Sequence, residues 1–219
     1  FLSGAYAGNT INVYGSDPGF SVASNGGTHT AWEDVALIRE IPGAVICDPA
    51  DDVQMEWIIK EFSKMEGIHY VRSNRKAVRN VYKKGSSFKI GQGNILKEGK
   101  DILIIAAGQL VSEALDCAEE LEKEGHSVEV IDMFTIKPLD EKLLIKEAKG
   151  KSKIVTIENH SIYGGLGSAV SEVIAENGIP VPVKRIGVKE KFGQVGTAEF
   201  LQKEFGLTAK QIKETICQF

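Results

Sequence analysis

From residue 101 to the carboxyl terminus, short β-rich runs alternate with amphipathic helical segments, and few folds accept that rhythm. The runs are "DILIIAAG" (101–108), "SVEVIDM" (127–133), "KIVTIEN" (153–159) and "VPVKRIGV" (181–188), each starting roughly 25 to 30 residues after the last. Between them lie "QLVSEALDCAEELEKEG", "LDEKLLIKEAKG" and "GGLGSAVSEVIAENG", and "TAEFLQKEFGLTAKQIKETI" closes the chain. Strands joined by helices at this period become parallel neighbours through right-handed crossovers, which puts helices on both faces of the sheet. Residues 101–219 are therefore expected to form a doubly wound, mostly parallel α/β domain.

The first part of the chain is shorter and less regular. "TINVYG" (10–15) reads as a strand, and the following loop to Thr28 is rich in Gly, Ser, Asn and Pro. "AWEDVALIREI" (31–41) places Trp32, Val35, Ala36 and Ile38 at helical spacing until Pro42-Gly43 stops it. "AVICD" (44–48), "DDVQMEWIIKEFSKM" (51–65) and "IHYVRS" (68–73) then read as strand, helix and strand. Residues 1–76 are thus β-loop-α-β-α-β, a partial α/β domain. From 77 to 100 the composition shifts to basic residues and glycines, and the alternation in "SFKIGQGNIL" predicts a linker with a hairpin.

Composition narrows the function classes. The net charge of −4 comes from interspersed Lys and Glu, so no basic face for nucleic acid or anionic lipid stands out. Three cysteines, Cys47, Cys117 and Cys217, stand far apart with no zinc-ligand spacing, which fits a reducing cytoplasm. No apolar run reaches the about 18 residues a membrane helix needs. Neither a nucleic acid nor a membrane is expected as partner.

Several motifs compete for chemistry. In "SNGGTHTAWED" (24–34), His29 follows two glycines and precedes a helix; on residues alone it is an exposed first-turn histidine. "GGLGSAV" (164–170) at a strand-to-helix transition has the form of a phosphate cradle, yet lacks the GxGxxG spacing, and serves equally to pack a helix on the sheet. "ENHS" (158–161) puts Glu158 and His160 at a strand's carboxyl edge, a place for ligands or for a structural corner. Cys47 and Cys117 lie in apolar segments as core residues, and His69 and His126 have no partner in view.

Taken together, these segments resemble the thiamine diphosphate-dependent transketolase family. "GSDPGFSVASNGGTHTAWEDVALIREIPGAVICDPADDVQ" (15–54) is similar to its pyrimidine-binding domain, with a glycine-rich loop ending in a D-G-P-T-H-like motif and a strand ending in "PAD". "AAGQLVSEALDCAEELEKEGHSVEVIDMFTIKPLD", "IVTIENHSIYGGLGSAVSEVI" and "RIGVKEKFGQVGTAEFLQKEFGLT" resemble its C-terminal domain. The likeness spans nearly the whole chain and is nearest to the separately encoded C-terminal halves of split transketolases.

The resemblance implies a partial pyrimidine-binding domain over 1–76, the linker over 77–100 and the C-terminal domain over 101–219. It implies that His29 faces the cofactor's reactive carbon and exchanges protons with substrate oxygens. It aligns Arg75, with Arg72 as neighbour, with the arginine that takes a substrate phosphate. Asn25 stands where the family carries an aspartate that reads a sugar hydroxyl, and Asp17 where it carries a phosphate-binding histidine, which together predict an altered acceptor, unphosphorylated or with its phosphate held elsewhere. In the complete enzyme the cofactors are thiamine diphosphate and Mg2+. None is expected on this chain alone, since the glutamate and aromatic group that grip the aminopyrimidine would precede "TINVYG". The implied partners are an N-terminal transketolase domain or subunit, a second copy in a homodimer, and a small sugar in the pentose phosphate pathway. Alternatives are 1-deoxy-D-xylulose-5-phosphate synthase, the β part of a 2-oxoacid dehydrogenase E1, and a non-catalytic assembly module.

Overall fold

A computed structural model describes residues 1–74 and 76–219. Nine strands build two sheets among these residues. In the first, β1 (Ile11–Ser16), β3 (Ile68–Ser73) and β2 (Val45–Cys47) run parallel, connected through α1 (Asp34–Arg39) and α2 (Asp52–Phe62). The second has the order β4-β6-β5-β8-β9, from β4 (Asn94–Lys97), β5 (Ile102–Ala106), β6 (Val128–Asp132), β8 (Lys153–Ser161) and β9 (Val183–Val188). All its neighbours are parallel except β4 and β6. This is the doubly wound, mostly parallel α/β architecture that the alternation predicts.

Why the second sheet is covered on both faces can be read from β5. Ile102, Ile104 and Ala106 point to one side, where Leu110 and, along α3 (Val111–Lys123), Val111, Ala114 and Leu121 meet Ile212 and Ile216 of α7 (Ala209–Gln218). Leu103 and Ile105 point to the other, against Leu144 of α4 (Glu141–Ala148) and Leu166, Val170 and Ile174 of α5 (Leu166–Glu176). The period of two in a strand forces this partition. Cys47 and Cys117 are buried core residues, and Cys217 is exposed.

Three local readings change. Residues 77–100 form no hairpin: residues 89–92 make a turn, and only Asn94–Lys97 becomes a strand, on the edge of the second sheet. Phe88 and Ile90 leave the alternation because they pack against Trp57 and Phe134 instead of a neighbouring strand. A further strand, β7 (Thr135–Lys137), follows β6 and crosses to pair antiparallel with β2 in the first sheet. Lastly, α1 starts at Asp34, three residues later than "AWEDVALIREI" predicts.

Candidate active site

Both sheets end at a common seam where the β1–α1 connection meets the carboxyl end of β8. Asn159 grips that connection from below: its Nδ2 donates to the Pro18 carbonyl at 3.0 Å, and its Oδ1 accepts from the Phe20 amide at 3.1 Å. Beyond this grip the chain makes a turn of 3-10 helix (Gly19–Asn25) and reaches Gly26, whose φ of 75° suits a residue without a Cβ. The His29 amide then donates to the Gly26 carbonyl at 3.0 Å, closing a tight turn. His29 is exposed at its tip and shares a 2.9 Å hydrogen bond, through Nδ1, with Thr28 Oγ1. Asn25 is also exposed, whereas Asp17 is buried with a φ of 53°.

The same connection lines a cleft of about 230 Å³ through Asp17, Phe20 and Ser21. Asn74 and Lys76 face them, and Gln109 closes the floor by donating from Nε2 to Ser21 Oγ at 2.6 Å. Arg75 lies outside the described residues. The Arg72 side chain is 1 % exposed. Nε donates to Asp34 Oδ2 at 2.9 Å, Nη1 to Asp48 Oδ2 at 2.8 Å, and Nη2 to the Asn159 carbonyl at 3.0 Å. Every nitrogen of Arg72 thus has a partner inside the protein.

Around Arg72 gathers a polar cluster of which the sequence carries no direct sign. Tyr70 donates its hydroxyl to Asp34 Oδ2 at 2.7 Å. Burial would push Asp34 upward, but the Arg72 charge, with His160 and the Tyr70 hydrogen bond, holds its carboxyl below the usual range. Asp48, buried more deeply, is pushed up despite Arg72. Glu158 accepts from the amides of Leu166 and Gly167 at 2.8 and 2.9 Å, so a carboxylate closes the start of α5. Burial still raises it to about 7. Burial, and next Arg72, lowers His160 to about 4, and its Nδ1 sits 2.7 Å from the Ser161 carbonyl, to which a neutral ring donates. "ENHS" is thus a buried corner between the two sheets, and the glycines of "GGLGSAV" serve close packing: a Cβ on Gly165 would meet His160 Nδ1 at 2.7 Å.

Among the described residues, no group of three or more His, Cys, Asp or Glu has the arrangement of a metal site. No helix there is long and apolar enough to cross a membrane.

The chain is similar to several known proteins. The family described as "Transketolase, C-terminal domain" matches residues 91–212. A 6-deoxy-6-sulfo-D-fructose transketolase subunit of Clostridium sp. (strain MSTE9) is 42% identical over 96% of this chain and 65% of its own length. An apulose-4-phosphate transketolase subunit of Phocaeicola vulgatus is 35% identical over 98% of this chain and 69% of its own. Among solved structures, a split-gene transketolase described as an inactive β4 tetramer superposes with a TM-score of 0.88 at 36% identity, covering 99% of this chain and 68% of that one. The chain therefore spans about two thirds of such subunits, and it covers 34% of the human transketolase.

Proposed function

The chain belongs to the transketolase family, and we propose that it works as the C-terminal section of a split, thiamine diphosphate-dependent transketolase that moves a two-carbon ketol unit between sugars. The observation that carries this reading is His29, exposed at the tip of a braced turn in the connection that also lines the cleft. Breaking a ketose beside its carbonyl requires a proton to leave a hydroxyl and another to reach an oxyanion. Imidazole is the side chain that exchanges protons near neutral pH, and an exposed one can reach substrate oxygens. Thiamine diphosphate supplies the carbanion chemistry when bound. Its metal and diphosphate end is the part that the family resemblance places off this chain. That end is assigned to an N-terminal partner subunit, whose surface would also exclude water from His29.

Asp17 and Asn25 remain proposed substrate contacts on this chain, together with Arg75, and the acceptor is proposed to differ from the usual pentose phosphates. The sulfonated and phosphorylated sugars in the names of the two relatives make ketoses with a terminal anion the first to try. The experiment combines the chain with its N-terminal partner and offers a ketose donor or pyruvate to an aldose acceptor. Ketose-dependent two-carbon transfer is the expected result. A product formed only from pyruvate would favour the 1-deoxy-D-xylulose-5-phosphate synthase or 2-oxoacid dehydrogenase reading.

A further inference from the structure

The turn that carries His29 does not stand alone. Segment 189–197, which follows β9 without helix or strand, lies directly against it. A Cβ on Gly27 would come to 3.0 Å from the Gly193 carbonyl carbon, and nearer still to its oxygen. Reciprocally, a Cβ on Gly193 would come to 2.5 Å from Thr30 Cβ and 3.0 Å from Gly27 Cα. Next to this pair, Val195 Cγ2 occupies the space where Gly26 would carry a side chain. Thr30 completes the brace by donating Oγ1 to the Gly26 carbonyl at 3.0 Å.

Both flanks of this contact are anchored. Gly196 sits so close to Phe200 and Leu201 that a Cβ would lie 2.6 Å from Phe200 Cδ1, which fastens segment 189–197 to α6 (Ala198–Glu204). On the other side, Asn159 holds Pro18 and Phe20. A rotamer change could clear Thr30 Oγ1 from a Cβ on Gly193, but Thr30 Cβ and Gly27 Cα move only with the main chain. Carbon atoms need about 3.5 to 4.0 Å, so a single added methyl must part the turn from segment 189–197 by about 1 Å.

We propose that Gly193 is a positioning residue: through its contact with Gly27 and Thr30, the C-terminal domain sets the depth of the turn and so the place where the His29 imidazole meets substrate. This rests on the reading of His29 as the proton-exchanging group. It gives segment 189–197 a part in the reaction without touching a reacting atom.

The test uses the enzyme reconstituted with its N-terminal subunit and a two-residue cycle of Gly193→Ala and His29→Ala. A misplacement of about 1 Å costs on the order of 10²-fold in kcat. Gly193→Ala is expected to show that loss, with faster amide exchange confined to residues 26–30 and an unchanged urea midpoint of the isolated chain. In the His29→Ala background the same substitution should change kcat by no more than about twofold, because groups acting as a unit are not additive. Should the methyl unfold the chain, Thr30→Val carries the same cycle by removing only the bond to the Gly26 carbonyl. Losses that multiply in full, or an unchanged kcat for the single variant, would overturn the positioning role while leaving His29 in place. Full turnover by His29→Ala alone would overturn both.

Discussion

Arg72 and His29 illustrate how burial decides what a charged or polar side chain is for. Arg72 donates to two carboxylates where water has been removed, so truncating it leaves Asp34 and Asp48 buried without their cation. Arg72→Met is expected to cost about 3 to 5 kcal/mol of unfolding free energy in urea titrations. A variant as stable as the native chain, with only a raised KM for an anionic sugar, would return Arg72 to the substrate site. His29 is expected to behave oppositely. His29→Ala should leave the unfolding midpoint where it is and lower kcat by about 10²-fold or more, the scale of general acid–base help, and unchanged turnover would refute its role. The sequence carries the difference between the two only in part. His29 stands out because two glycines shortly precede it, but nothing in "RSNR" says that Arg72 points inward; that is fixed by Asp34 and Asp48, 38 and 24 residues away.

Strands and helices with full periods were legible, and those whose form depends on distant partners were not. β5 declares itself by continuous apolar residues, since both its faces are covered, whereas β6 carries Glu129 and Asp132 in the same buried setting. β7 has three residues, too few for alternation to show, and its place follows from the β2 edge it completes. Helix α5 shows how an element can depend on a remote carboxylate. The Glu158 carboxyl, ordinarily at 4.5, is raised to about 7, so between those values the folded chain holds a proton that the unfolded chain releases. This contribution to stability is complete below pH 4.5 and is lost as pH rises through about 7. His160, lowered from 6.5 to about 4, acts the other way, adding stability as pH rises across that range. Comparison with Glu158→Gln isolates the first effect: between pH 5 and 8 the native chain should lose about 2 to 3 kcal/mol more than the variant. Equal pH slopes would mean that Glu158 stays ionised throughout.

At the scale of the whole molecule, the sequence reads as two α/β units in succession, yet the chain crosses between the sheets repeatedly. β7 leaves the second sheet to pair with β2, and Lys137 at its end donates to the carbonyls of Arg39 and Ile41, both at 2.6 Å, closing the end of α1. Val35, Ile46 and Tyr70 from the first unit share one apolar cluster with Leu103, Ile105 and Met133 from the second. Trp32 stacks edge-on against Phe205 at 5.0 Å, across the same seam. Such crossings escape a sequence reading because each half satisfies its own local pattern, and the contacts join residues far apart in the chain. Shared core and exchanged strand together predict a single cooperative transition. In a Trp32→Phe variant, Trp57 fluorescence reports the first sheet, while far-UV circular dichroism is dominated by α3, α5 and α7. The two urea midpoints should coincide. Ile136 on β7 is 3 % exposed, and Ile136→Ala should lower both midpoints together, at a cost of about 2 to 5 kcal/mol. A fluorescence transition that shifts while the dichroism stays would show that the first sheet unfolds on its own, and the seam would then have to be completed by the partner subunit before His29 could be held in place.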